Sequence, residues 1–267
     1  MKKIPAKLAI IKYGTETLVR KNEAGKFIID RKTVNEHGSI ISGYGNPALV
    51  VSSGAVGIGR ARANFDYIKD DVARKRVLAA AGNPRLSINW DEAISEKVIL
   101  QGLITHKDFF HADSRSSLKN IILSIYQNPV YAVIQLNEND FITDEELKNI
   151  RGGDFGDNDK LTALTAELCA EIFESVEVIA NTGSDGVTEK GETIAEMNAM
   201  EMSDEKIAEL CGARKTETGT GGMGNKMKIF RDLAIQTGIT SRIINGRKPE
   251  QLKTILDGGT VGTKIYR

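Results

Sequence analysis

Thiols are scarce in this chain: among 267 residues only Cys169 and Cys211 carry one. A disulfide framework is not expected, and Cys169, on the apolar side of an expected helix, reads as a small buried hydrophobe. Long apolar runs are missing too, since none approaches the ~18 residues of a membrane-spanning helix. The basic start, Met1-Lys2-Lys3-Ile4-Pro5-Ala6-Lys7, is followed only by the short apolar run Leu8 to Ile11, so a secretory leader is not expected. Charge of one sign is not in excess: 36 Lys plus Arg balance 36 Asp plus Glu, so no bulk field points to nucleic acid or an anionic membrane. These absences leave a cytoplasmic protein with small-molecule partners. No internal repeat, low-complexity segment or Pro/Ser-rich linker divides the chain. With 40% apolar residues it can build a sizeable core, and the expectation is a single domain over 1–267, with an N-terminal lobe of about 1–170 for one substrate and a C-terminal lobe of about 171–267 for another.

Four β-rich runs stand out: Leu8 to Ile11, Ala48 to Val51, Val130 to Leu136 and Val176 to Ala180. Helical patterns follow them, and strands alternating with helices predict a mainly parallel α/β sheet covered on both faces. Leu161, Leu164 and Leu168 fall on one helical stripe directly after Gly156-Asp157-Asn158-Asp159-Lys160, which makes Asp157, Asn158 or Asp159 the N-cap. Met223, Met227, Phe230 and Ala234 form a second stripe after Thr218-Gly219-Thr220-Gly221-Gly222, with Gly238 as its stop. Both blocks thus fall at helix N-termini, where free N–H groups and the helix dipole favour anions.

The glycine block formally contains G-x-G-x-x-G, but Arg214-Lys215-Thr216-Glu217-Thr218 before it is not the buried strand a dinucleotide fingerprint requires. The P-loop pattern is absent as well, because Asn225 precedes Lys226 and Met227 follows it. What is left is a backbone able to approach phosphate oxygens, with Lys226 as a point charge; standing alone, such a block is an ordinary surface turn. Lys12-Tyr13-Gly14-Thr15 ends an apolar strand and projects a lysine towards the crevice where open α/β sheets bind ligands. Ser52-Ser53-Gly54-Ala55 follows another strand, with small residues that let a ligand lie against backbone. The bland readings are a solvated lysine and a tight strand-to-helix turn. Asn137-Glu138-Asn139-Asp140 crowds two amides and two carboxylates at a strand end, groups suited to the ammonium and polar edges of an amino acid. His106 and His111 have no third ligand, so no protein-held metal is expected. No Ser/His/Asp or Cys/His arrangement supports nucleophilic catalysis. Lysines and backbone N–H groups around transferring phosphate are the requirement of a kinase.

Taken in order, Lys-x-Gly-Thr, Ser-Ser-Gly-Ala, Ala80-Ala81-Gly82-Asn83, Asn-Glu-Asn-Asp, Gly-Asp-Asn-Asp, Gly-Thr-Gly-Gly-Met and Val261-Gly262-Thr263 resemble the glutamate 5-kinase branch of the amino acid kinase family, from about residue 7 onwards. The resemblance implies a three-layer α/β/α sandwich and transfer of phosphate from ATP to the γ-carboxylate of L-glutamate, the first step towards proline. It implies that Ser53, Asp140 and Asn158 bind glutamate, with Asp157 and Asn137 nearby. Lys12 and Lys226 would neutralise the transferring group, with Asp159 orienting both. Gly14 and the run Thr220, Gly221, Gly222, Met223, Gly224, Asn225 and Lys226 would cradle phosphates, and Thr182 with Gly183 would meet the nucleotide. An attacking carboxylate is already ionised at neutral pH, so no general base is needed. Mg²⁺ is expected with ATP, held mainly by phosphates and water. A homo-oligomer (dimer or tetramer), proline feedback and a functional link to a γ-glutamyl phosphate reductase are implied in the same way, and the expected form lacks the PUA-type accessory domain.

The chain departs from that pattern at Gly183, where an aspartate is usual, at Asn83, where glutamine is usual, at Asn225, where a hydroxyl residue is common, and in a long stretch between Asp140 and Gly156. Two rival readings follow: another amino acid kinase, such as an N-acetylglutamate or carbamate kinase, and a sensor that binds amino acid or nucleotide without turnover.

Overall fold

The computed structural model describes residues 2–23, 25–127, 131–142, 158–211 and 222–267. Asp157, Thr220 and Gly221 lie outside the described residues, as does the start of the expected strand at Val130. Twelve strands are found among the described residues: β1 Ile4–Tyr13, β2 Val19–Lys21, β3 Phe27–Ile29, β4 Ala48–Ser52, β5 Val98–Ile104, β6 Ala132–Glu138, β7 Phe173–Thr182, β8 Thr188–Glu189, β9 Glu192–Thr193, β10 Glu196–Asn198, β11 Thr240–Asn245 and β12 Thr263–Tyr266. Eight of them form one sheet in the order β10-β12-β11-β7-β1-β4-β6-β5, while β2-β3 and β8-β9 are hairpins. Every neighbouring pair in the large sheet is parallel except β11 with β12.

A parallel sheet buries both faces, and β1 shows how the sequence meets that demand. Its alternation sends Leu8 and Ile10 into one apolar cluster and Ala9, Ile11 and Tyr13 into another. The first cluster is closed by Ala112–Tyr126, Asn158–Ala170 and Met223–Thr237, the second by Arg31–Ser42, Ala55–Arg62, Asp71–Ala93 and Pro249–Leu256. The result is the expected layering of helices, sheet and helices.

Helix boundaries follow local chemistry. Asp30 and Asp70 accept from the backbone N–H groups of Thr33 and Ala73, at 3.5 and 2.6 Å, and start the Arg31–Ser42 and Asp71–Ala93 helices. Gly238 adopts φ 74° and closes Met223–Thr237 where an L side chain would be strained. Gly54, at φ 108°, makes the turn that carries the chain from β4 into Ala55–Arg62.

Candidate active site

Chain direction in the parallel strands brings Lys12, Ser53, Asn137 and Thr182 to the same edge of the sheet, the carboxyl edge of β1, β4, β6 and β7. The chain builds from β1 to one side and later returns to place β7 on the other, so the order reverses beside β1, where open α/β sheets form a crevice. Lys12 shares the face of Leu8 and Ile10 and therefore points towards Asn158–Ala170 and Met223–Thr237.

At that point three charged side chains meet out of solvent. The Asp159 carboxylate receives Lys12 Nζ at 2.9 Å and Lys226 Nζ at 2.6 and 2.7 Å. Burial opposes ionisation of Asp159, but the two ammonium groups overcome it and hold its carboxyl below the usual range. Burial likewise opposes charge on both lysines. Asp159 outweighs that opposition at Lys12, whose pKa is raised, whereas Lys226 also meets the charge of Lys12 and is pushed down to about 8. One carboxylate cannot fully compensate two cations, so the cluster keeps a net positive charge available to an anion.

A chain of amides runs from this cluster. Asn158 Nδ2 donates to Ser53 Oγ at 2.7 Å and to Asn137 Oδ1 at 3.2 Å, and Asn137 Nδ2 donates to Asn83 Oδ1 at 2.8 Å. Asn158 Oδ1 is buried without a hydrogen-bond partner among the described residues, an acceptor suited to a ligand N–H. Asp140 is buried just beyond β6, and Glu138 lies 3.3 Å from His106 Nε2 on the opposite face of that strand from Asn137. Gly14 and Gly183 follow adjacent strand ends, with Gly14 N–H reaching Asn181 O at 3.5 Å. The Thr182 hydroxyl donates to Ile244 O at 3.2 Å and is committed to the fold. Gly222 precedes the first turn of Met223–Thr237, which carries Met223, Gly224, Asn225 and the buried Lys226. Of the expected residues, Lys12, Asp159, Lys226, Asn158, Ser53 and Asn137 are thus directly connected, while Asp140, Gly14, Thr182, Gly183 and Gly222 are placed by their own elements. Asn83, read from sequence as the end of the Ala80–Asn83 block and as a departure from glutamine, is part of the amide chain.

Parallel strand ends, a buried lysine pair and neighbouring glycine turns form an arrangement suited to holding a phosphate group. The chain belongs to the amino acid kinase family, whose family model matches residues 7–245. It is 28% identical to a glutamate 5-kinase of Dehalococcoides mccartyi, covering 97% of this chain and 68% of that protein. Its identity to a glutamate 5-kinase of Rippkaea orientalis is 31%, over 96% of this chain and 68% of the relative. An Enterococcus faecalis glutamate 5-kinase is 28% identical and is covered over 95% of its length. Among solved structures, Giardia carbamate kinase matches with a TM-score of 0.61 at 14% identity, covering 98% of this chain and 99% of that one. That likeness gives the fold, and together the family and the relatives support a phosphorylating kinase with ATP as phosphate donor.

Proposed function

We propose that the protein phosphorylates the γ-carboxylate of L-glutamate with ATP, yielding γ-glutamyl phosphate and ADP. The observation that carries this reading is the continuity of the lysine cluster with the amide chain through the adjacent residues Asn158 and Asp159. The acceptor lies against Ser53, Asn137, Asn158 and Asp140 in the N-terminal lobe, with its ammonium taken by Asp140 and the open Asn158 oxygen. ATP lies along Gly14, Gly183 and the start of Met223–Thr237. The γ-phosphoryl group passes between Lys12 and Lys226, which stabilise charge spreading over its oxygens, while Asp159 fixes their separation. Nucleophilic attack needs no base because the acceptor carboxylate is ionised. The names of the relatives support glutamate, and a place at the head of proline formation follows from the product.

Asp159 already has both oxygens engaged by ammonium groups, and among the described residues no three His, Cys, Asp or Glu side chains are grouped to hold a metal. This donor set fits a Mg²⁺ ion carried by the nucleotide phosphates and water, with at most a single protein carboxylate. Bound there, Mg²⁺ neutralises phosphate charge.

The test is ADP release from Mg-ATP with L-glutamate, N-acetyl-L-glutamate, L-aspartate or carbamate, with hydroxylamine present to trap an acyl phosphate. Glutamate-dependent hydroxamate that disappears in Lys226→Ala is the expected result. Turnover with another acceptor replaces the substrate, and ligand binding without turnover replaces the kinase by a sensor.

A further inference from the structure

Glu16 has no part in the site described so far, yet its carboxylate lies within it. The side chain folds back over Gly14, so that a side-chain carbon on Gly14 would overlap the carboxylate, and a carbon on Gly183 would stand 3.8 Å from Glu16 Cγ. Glu16 therefore fills the space above the two glycines that follow β1 and β7. Its charge acts favourably on the ammonium groups of both Lys12 and Lys226. Among the described residues, however, no hydrogen bond or ion pair closes on this carboxylate, and the only polar contact of Glu16 beyond its own helix is made by its backbone oxygen, which accepts from Arg247 at 3.4 Å.

A carboxylate held against a phosphate cradle repels the phosphates unless a cation stands between them. Asp159 is the poorer partner for that cation, because both its oxygens already accept from lysine ammonium groups. The geometry points to Glu16 as the protein carboxylate that meets the divalent cation of a metal–nucleotide complex, an inference that rests on the kinase reading above. Hard divalent cations such as Mg²⁺ take one or two carboxylates in addition to phosphate oxygens and water, and Glu16 offers one on a half-buried side chain that makes no hydrogen bond or ion pair among the described residues. Because Gly183 brings no side chain of its own, Glu16 supplies negative charge beside the nucleotide from the neighbouring strand end.

The experiment is calorimetric titration of ADP into the wild-type protein and Glu16→Gln, each with Mg²⁺ and with EDTA, and thermal melts of both proteins to confirm equal folding. For the wild type, Mg²⁺ tightens ADP binding. In Glu16→Gln, ADP without metal binds as well as or better than to the wild type, because a repulsive charge is gone, while the gain from Mg²⁺ shrinks by about tenfold, the scale of one lost charge contact. Mn²⁺ in place of Mg²⁺ gives a second readout, as a changed electron paramagnetic resonance spectrum of the ternary complex in the variant. An unchanged Mg²⁺ gain overturns the inference, and so does equal tightening with and without metal, which would make Glu16 only a competitor of phosphate. Failure of the wild type to bind nucleotide in any condition removes the kinase reading and this inference together. Glutamate-dependent turnover with an unchanged Mg²⁺ gain in Glu16→Gln removes this inference alone.

Discussion

Two ammonium groups share a site out of water only while a carboxylate stands between them. Asp159, Lys12 and Lys226 are almost fully buried, so replacing the carboxylate leaves two like charges facing each other in a low-dielectric setting. Asp159→Asn, which keeps the shape, is expected to destabilise the fold by about 3–5 kcal/mol, the scale of breaking a buried pair, as read from the urea midpoint. The same cluster sets a pH limit on anion binding. Lys226 sits at about 8, below its usual 10.5, because burial and the Lys12 charge oppose its proton. Between those two values the unfolded chain holds that proton and the folded chain releases it, so this group's contribution to stability rises with pH across the window. Affinity for phosphate moves the other way: ADP binding is expected to weaken as pH rises past about 8 and Lys226 loses charge. Titrations at pH 7, 8 and 9 check this, and Lys226→Met should give a flat profile with weak binding throughout.

At the scale of elements, the proposed acceptor side depends on two helices that touch through glycine. A side-chain carbon on Gly59 would overlap the backbone carbonyl of Leu78, and one on Gly82 would overlap that of Ala55. The two residues let Ala55–Arg62 and Asp71–Ala93 cross at backbone contact, and the site hangs on both helices: Ser53 immediately precedes the turn into the first, and Asn83 follows Gly82 on the second. Gly82→Ala is expected to cost about 1–3 kcal/mol by overpacking and to raise the KM for the acceptor several-fold with little change for ATP; a melt and the two KM values measure it. No single-sequence pattern announces such a crossing, because the partner of Gly82 is a carbonyl in another helix. The strands were legible, since Leu8 to Ile11 and Ala48 to Val51 are apolar on both faces as a covered parallel sheet demands. The two lysines were legible as well, through Lys12 at a strand end and Lys226 in the first turn of a patterned helix, while Asp159 between them came from the family resemblance. Glu16 was not, because its return over Gly14 depends on charges brought there by distant segments. The roles expected of Asp157, Thr220 and Gly221 fall outside the described residues.

Across the molecule, the ends of β1 and β4 are tied to the loop after β11 by one buried histidine. His37, on Arg31–Ser42, meets the Tyr13 hydroxyl through Nδ1 at 2.9 Å and Gly246 O through Nε2 at 2.9 Å. A carbonyl only accepts, so Nε2 carries the proton, and Nδ1 of the neutral ring accepts from Tyr13. Tyr13 packs on Trp90 at 4.8 Å between ring centroids, and Trp90 Nε1 donates to Ser52 Oγ at 3.0 Å; on the other side Gly246 N–H donates to Thr182 O at 2.9 Å. Thus Ser52, beside Ser53, and Thr182, beside Gly183, are connected through His37. Burial drives the pKa of this imidazole from 6.5 down to about 4, against the pull of Gly246 O and Glu250. The unfolded chain therefore binds a proton that the folded chain refuses, and stability is full above pH 6.5 and lost progressively as pH falls towards 4. At roughly 1.4 kcal/mol per pH unit the loss is about 3 kcal/mol, and below pH 4 this contribution changes no further. Carboxylates such as Asp159 also titrate in acid, so the measurement is the difference in urea stability between the wild type and His37→Gln at each pH from 7.5 to 4. That difference should narrow by about 3 kcal/mol across the window, because the variant has no imidazole to protonate. A constant difference would mean that His37 takes up its proton at the same pH folded and unfolded, so that burial does not hold the ring neutral.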